Sequence, residues 1–286
     1  MMKTWLRASR AFSLTAVLAP VACVWLLGAR QGMHAHIWIA LSAIAGVTLL
    51  LLGVNLENDV VDDARGIDQP GTLGGSGVIQ DGLLSARSMR VAAWTLMLLG
   101  SLLGIPAFMS APLQMLWVGL LAVVGAVGYS TPPLSLKYRG LGDLAVFVLC
   151  GPLLTYGASL AFFGALPAGS WALGCMFGFA AAAILHANNM QDIDIDTRAG
   201  ARTFASMIGP GPSKLYLALL YLAALGSWLF AGPWLGILGF IPALLVLARA
   251  LTTLDLQSYA VFRIHAAMAH LAIGVGAALS LLRGVP

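Results

Sequence analysis

Apolar residues in this chain come in long unbroken runs parted by short polar breaks, with none of the alternation of a half-buried strand. Nine runs can be marked, over residues 13–29, 36–54, 91–108, 112–129, 141–163, 170–187, 214–231, 233–250 and 263–282. Each is close to the ~20 residues that a helix needs to cross a hydrocarbon core of ~30 Å. The pattern predicts an all-α polytopic membrane protein, with nine transmembrane helices in a single bundle and residues 1–286 forming one domain. Two long polar stretches interrupt it, at about residues 55–90 and 188–213, and any polar chemistry must lie there.

Composition closes off a soluble fold. Of 286 residues, 60% are hydrophobic and only 9% charged, against about 25% charged in a typical soluble domain. The first run follows Lys3, Arg7 and Arg10, the layout of a secretory leader, but no small-residue cleavage site comes after it, so a retained helix is expected. No soluble domain is expected at either end. Cys23, Cys150 and Cys175 fall inside apolar runs and read as small core residues, with no CxxC pair.

Charge sets the direction of insertion. With a cytoplasmic N-terminus and alternating helices, only Arg30 and Arg283 of the fifteen Lys and Arg fall on the far side, as the positive-inside rule requires. The expected location is the cell inner (plasma) membrane, multi-pass, with the N-terminus and an active-site cap on the cytoplasmic side. The net charge of +4 belongs to these loops and implies no nucleic-acid partner. All eleven acids share that side too. Membrane insertion does not demand this of acids, so a function needing carboxylates there is the better explanation.

The acids gather in two clusters. The first runs from Asn55 through Glu57, Asn58, Asp59, Asp62, Asp63 and Arg65 to Gly66 and Asp68, at the end of the second run. The second runs from Asn188 and Asn189 through Asp192, Asp194 and Asp196 to Arg198, Arg202 and Thr203, at the end of the sixth. Asn58 and Asp62 are four apart, as are Asn188, Asp192 and Asp196, so each set shares one helix face. Carboxylates in such rows repel without a cation between them. Mg²⁺ is a hard cation that takes one or two carboxylates together with substrate phosphate. Two facing half-sites could clamp a diphosphate through metals that draw charge onto a leaving group. A solvated acidic loop would explain either cluster alone; the two at corresponding helix ends favour chemistry. Asp81, Asp143 and Asp255 stand apart and read as surface or capping residues. Lys137 and Arg139, in the loop from Tyr129, and Arg198 and Arg202 could bind phosphate oxygens, although the positive-inside rule places cations there anyway. The segment Gly71–Gly77 has no Walker or dinucleotide order, leaving a flexible connector or a backbone-amide role near phosphate.

At these residues the chain resembles the UbiA-type superfamily of intramembrane prenyltransferases, along essentially its whole length. The family's NDxxD form matches Asn58-Asp59-Val60-Val61-Asp62, and its DxxxD form matches Asp192 and Asp196. The segments Asn58–Asp68, Gly74–Ser85 and Asn188–Thr203 look most like 1,4-dihydroxy-2-naphthoate prenyltransferases of menaquinone synthesis. Ala201 replaces a usual basic residue, and Tyr129–Pro133 looks closer to chlorophyll-synthase-like relatives.

The resemblance implies transfer of a polyprenyl group from an allylic polyprenyl diphosphate to an aromatic acceptor in the bilayer, with no obligate protein partner. It implies Mg²⁺ held by Asn58, Asp59, Asp62, Asp192 and Asp196, of which Asn58, Asp62, Asp192 and Asp196 are catalytic. Lys137, Arg139, Arg198, Arg202, Asn188, Asp68 and Tyr129 would contact substrate. Tyr129, Tyr138 and Tyr156 offer aromatic faces to an allylic cation, against the packing role usual for aromatics in membrane helices. Hydroxybenzoate, homogentisate, a chlorin or a secondary metabolite stay open as acceptors. A transporter would place its acids near the bilayer midplane, not at helix ends. A CDP-alcohol-type transferase would carry a single motif on early helices.

Overall fold

The computed structural model describes residues 1–70, 75–253 and 262–283. A short helix α1 (Met2–Ala8) and a 3-10 turn (Ala11–Leu14) lead into α2 (Thr15–Arg30). Then come α3 (Ile37–Ala64), α4 (Ala86–Gly104), α5 (Pro112–Ser130), α6 (Gly142–Cys150), α7 (Pro152–Phe163) and α8 (Ser170–Gln191). The short helices α9 (Ile193–Arg198) and α10 (Phe204–Ile208) precede α11 (Pro210–Ala231), α12 (Ile241–Thr252) and α13 (Phe262–Leu282). Among the described residues nine spans are long and apolar enough to cross a bilayer, with α6 and α7 sharing one. The chain is a multi-pass integral membrane protein.

The bundle is turned inside out relative to a soluble protein. Trp38, Leu98, Leu113, Leu222, Phe230 and Leu244 are exposed on its flanks, where hydrocarbon replaces water. Its interior holds Phe162, Leu173, Met176, Phe177 and Trp228, together with polar groups at the acidic end. Helix α8 is the axis: 67% of its span is buried, against 17% for α3. Small residues allow that enclosure. A Cβ on Gly178 would sit 2.6 Å from the Phe147 carbonyl oxygen, and one on Gly151 would sit 2.5 Å from that of Gly174. Helices α6 and α7, which meet at Gly151, can therefore cross α8 nearly backbone to backbone.

The nine runs hold, but several helices extend past the expected boundaries. Helix α3 continues ten residues beyond 54, α8 continues to Gln191, and α4 begins at Ala86. Hydropathy ends where polar residues begin, whereas backbone hydrogen bonding does not. The first acidic cluster is thus the last turns of α3 rather than a loop. The second cluster straddles a break at Asp192 (φ −102, ψ 7), across which the Asp196 N–H still donates to the Asp192 carbonyl at 2.7 Å. Asp255 and residues 71–74 of the glycine-rich segment lie outside the described residues.

Candidate active site

The end of α3 buries Glu57, Asn58, Asp59 and Asp62. Buried polar groups need partners; Glu57 takes Arg90, Asp59 takes Arg10, and the end of α5 with the segment after it serves Asn58 and Asp62. Ser135, at φ +45, turns the chain into a 3-10 turn at Leu136–Tyr138. From it Lys137 Nζ reaches Asp62 Oδ2 at 2.6 Å and Asn58 Oδ1 at 3.1 Å. Tyr138 donates its hydroxyl to Asp62 Oδ1 at 2.6 Å, and Ser130 donates to Asn58 Oδ1 at 3.0 Å. Asn58 Nδ2 donates to Asp62 Oδ2 at 2.9 Å, as the four-residue spacing predicts. Arg65 lies 3.9 Å over the Tyr138 ring. Burial, and then Asp62, push the Tyr138 hydroxyl well above its ordinary value, so it stays a donor.

The second cluster is more open. Asn188 Nδ2 donates to Asp192 Oδ2 at 3.3 Å, and Arg263 Nη1 from α13 donates to Asn188 Oδ1 at 3.4 Å. Thr203 donates to Asp196 Oδ2 at 2.8 Å. Burial pushes Asp192 up to about 7, with Asp196 acting the same way and Lys137 and Arg263 opposing. Burial likewise pushes Asp196 up to about 6, against the Thr203 hydrogen bond and Lys137. Asp68 is also pushed up to about 6, first by burial and next by Asp62.

The two helix ends converge, since Asn58 and Lys137 of the first half and Asn188 of the second line one cavity. Asp62 of the first cluster acts on Asp196 of the second, Asp68 acts on Asp192, and Lys137 acts on all three raised carboxyls. That cavity, of about 220 Å³, runs into the bundle beside them. Its polar end carries Arg10, Asn58, Tyr129, Lys137, Asn188 and Arg263. Its walls are apolar, from Val47, Leu50 and Leu51 of α3 to Leu149, Leu154 and Ile184. Asn58 and Val47 are eleven residues apart on one helix, a depth of roughly 16 Å.

The donor set suits Mg²⁺, since carboxylate and amide oxygens are the hard ligands it prefers. Asp192 Oδ1 is buried with no hydrogen-bond partner, an acceptor that a cation would satisfy. Among the described residues no three carboxylate, imidazole or thiolate groups already surround one point. The ligands are divided between two half-sites, and Lys137 supplies the positive charge at the first.

Several expected site residues lie elsewhere. Arg139, Arg198 and Arg202 are exposed and do not line the cavity; Arg139 Nη2 donates instead to the Pro133 carbonyl at 2.7 Å. Asp59 is engaged by Arg10 and accepts from the Ser76 N–H at 3.1 Å. In the described part of the glycine-rich segment the Ser76 amide is thus committed to a carboxylate. Burial lowers the proton affinity of Arg10, but Asp59, Asp68 and Asp62 outweigh it and raise that affinity overall. Tyr156 stacks on Trp171 at 5.3 Å and takes no place in the lining. Asp81 is a surface residue paired with Arg7, as expected. Asp143 is not: it is buried, with Oδ2 2.8 Å from Nδ1 of the wholly buried His186. That pair ties α6 to α8 two residues before Asn188. Arg10, Arg263 and Ser130 carry no local mark of a site residue, because each arrives from a distant element by tertiary packing, whereas Thr203 reaches Asp196 from within the second cluster.

The UbiA prenyltransferase family pattern matches residues 17–273. The chain is 34% identical over 251 residues to the 1,4-dihydroxy-2-naphthoate octaprenyltransferase of Mycobacterium tuberculosis, covering 86% of this chain and 84% of that one. It is 29% identical over 231 residues to the Escherichia coli protein of the same name, covering 78% and 74%. The fold superposes on a UbiA homolog from Aeropyrum pernix with a TM-score of 0.67 at 19% identity, covering 92% and 96%. It also superposes on a UbiA homolog from Archaeoglobus fulgidus bound to DMAPP and Mg²⁺, with a TM-score of 0.60 at 17% identity, covering 98% and 99%. A nine-span bundle with acidic helix ends facing across one cavity, matched over nearly its whole length, identifies the chain as a member of the UbiA prenyltransferase family, an enzyme of prenyl transfer.

Proposed function

We propose that this enzyme transfers a polyprenyl group from an allylic polyprenyl diphosphate to 1,4-dihydroxy-2-naphthoate, from the cytoplasmic face of the membrane. The observation that carries the reading is one apolar cavity whose polar end holds Asn58 and Lys137, the partners of Asp62, together with Asn188, the partner of Asp192. The named acceptor of the mycobacterial and Escherichia coli relatives supports the naphthoate.

Asn58, Asp62, Asp192 and Asp196 would hold Mg²⁺. When bound, the ion supplies Lewis-acid neutralisation of the departing diphosphate. Lys137 adds a point charge from the side, and its contact with Asp62 orients both groups. Asn188 lies between Arg263 and Asp192 and sets the position of that carboxylate. The apolar walls exclude water from the allylic cation, and Tyr129 presents an aromatic face at the same level. A long polyprenyl tail exceeds the cavity, so its distal units extend into lipid.

The test is prenyl transfer by purified protein in detergent, with labelled prenyl diphosphate and a panel of aromatic acceptors. Naphthoate should be preferred, and Asp62→Ala or Asp192→Ala should abolish Mg²⁺-dependent transfer. Full activity in either variant would overturn the site. Preference for hydroxybenzoate, homogentisate or a chlorin would overturn the acceptor alone.

A further inference from the structure

Outside the reaction cavity, at the same polar end, lies a second one of about 490 Å³. Among the described residues it is lined by Arg7, Arg10 and Arg263, by Gly75, Ser76 and Gly77, by the apolar Leu6, Ala11 and Phe12, and by no carboxylate. Arg10, Phe12 and Arg263 line the inner cavity as well, so two guanidiniums and one ring form the wall between the two spaces. Arg7 belongs to the outer space alone.

The outer wall is held in shape. Arg7 Nε donates to the Ser76 carbonyl at 2.7 Å, and its Nη2 lies 2.8 Å from Asp81 Oδ2. Gly77, at φ +73, brings its backbone so close that a Cβ would meet Arg7 Nη2 at 2.7 Å. A guanidinium has five N–H donors in a planar fork that matches phosphate oxygens, and these contacts engage only part of that fork. The Arg7–Asp81 pair is half exposed, at 49% and 51%, so an incoming anion can compete with Asp81 for Arg7.

Prenyl transfer yields two products of opposite solubility. The prenylated ring can leave sideways into lipid, whereas inorganic diphosphate is a polyanion that hydrocarbon excludes. It must leave at the polar end, and the arginine wall stands there. We propose that the outer cavity is a vestibule that binds inorganic diphosphate on its way from the reaction site to water, passing it from Arg10 and Arg263 to Arg7. This rests on the prenyl-transfer reading but adds an anion site outside the reacting centre, where no bond is made or broken. The phosphate of an anionic lipid headgroup shares this chemistry, so the test separates the two sources.

The probe is inorganic diphosphate titrated calorimetrically into the full chain in neutral detergent with EDTA. The inner cavity also presents Arg10, Lys137 and Arg263, so the vestibule is assigned through Arg7, which lines the outer space alone, and no turnover is needed. Wild-type protein should bind. Arg7→Gln should weaken binding about fivefold, as loss of one half-exposed charged hydrogen bond implies. Asp81→Asn should tighten binding, because it removes the competitor for Arg7. Breaking the pair from either end would disturb the fold alike, so opposite signs mark a ligand contact. No binding by wild-type protein, or shifts of the same sign in both variants, would overturn the proposal. So would an Arg7→Gln effect confined to association with phosphatidylglycerol in nanodiscs, which would assign the site to a headgroup. Loss of prenyl transfer in wild-type protein would sink the functional reading and leave this titration readable.

Discussion

Removing the Lys137 ammonium should weaken the metal-free protein and strengthen its response to Mg²⁺. Lys137 Nζ touches Asp62 Oδ2 at 2.6 Å and Asn58 Oδ1 at 3.1 Å, with side-chain exposures of 11% for Lys137 and 3% for Asp62. Lys137→Met leaves a buried carboxylate without its counter-charge, a loss of about 3–5 kcal/mol for such pairs. The low end applies, because Lys137 borders a cavity that water can enter. At about 2–4 °C per kcal/mol, ~3 kcal/mol lowers the apparent unfolding midpoint by roughly 6–12 °C. Mg²⁺ supplies the missing charge and no longer competes with an ammonium for Asp62. The rise in midpoint between EDTA and saturating Mg²⁺ should therefore be larger in the variant than in wild-type protein, while prenyl transfer falls. Fluorescence-detected thermal scans in detergent read both quantities. Equal Mg²⁺-induced rises in the two proteins would show that lysine and metal do not share that carboxylate, and the reasoning would fail.

Two further outcomes follow from the same geometry. Asp68 and Asp196 at about 6 and Asp192 at about 7 all lie above the ordinary carboxyl value near 3.9. Their contribution to metal-free stability is full below about pH 4 and is lost as pH rises through 6–7, whereas Mg²⁺ needs them ionised and gains affinity over that window. Mg²⁺-induced stabilisation should grow from about pH 5 to pH 8, and a flat response would refute the link. His186→Leu should cost about 1.5–3 kcal/mol by removing the hydrogen-bond partner of the buried Asp143. His186→Asn, whose amide nitrogen can stand where Nδ1 stood, should recover most of it in thermal scans; equal losses would count against the pair.

The bundle was legible because the bilayer imposes one strong rule, long apolar runs, and the chain obeys it nine times. The acidic helix ends were legible in spacing but not in form. Hydropathy stops at Asn55, while the helix runs on to Ala64 because Lys137, Tyr138 and Ser130 satisfy the buried side chains. Cations were the hardest to sort. Lys137, Arg139, Arg198 and Arg202 look alike as basic residues on one side of a membrane, yet only Lys137 enters the cavity. Arg10 and Arg263 come to it from opposite ends of the chain, and no local pattern marks either. Asp59 and Asp62 sit in one motif, but a helical turn sends Asp59 to Arg10 and Asp62 to Lys137. Asp143 resembled a helix cap until its partner, His186, was brought beside it by α8.

The two halves of the site are anchored differently. One rides on α3, which is 28 residues and roughly 42 Å long; its far end carries exposed Ile37, Trp38 and Leu41, while no residue from 46 to 63 is exposed. The other rides on α8, 67% of which is buried among its neighbours. A helix longer than the hydrocarbon layer answers a thinner or thicker bilayer by tilting, whereas an enclosed one is held by protein. A change of bilayer thickness therefore reaches α3 at its far end and α8 hardly at all, and the acidic ends of both helices are set by protein packing.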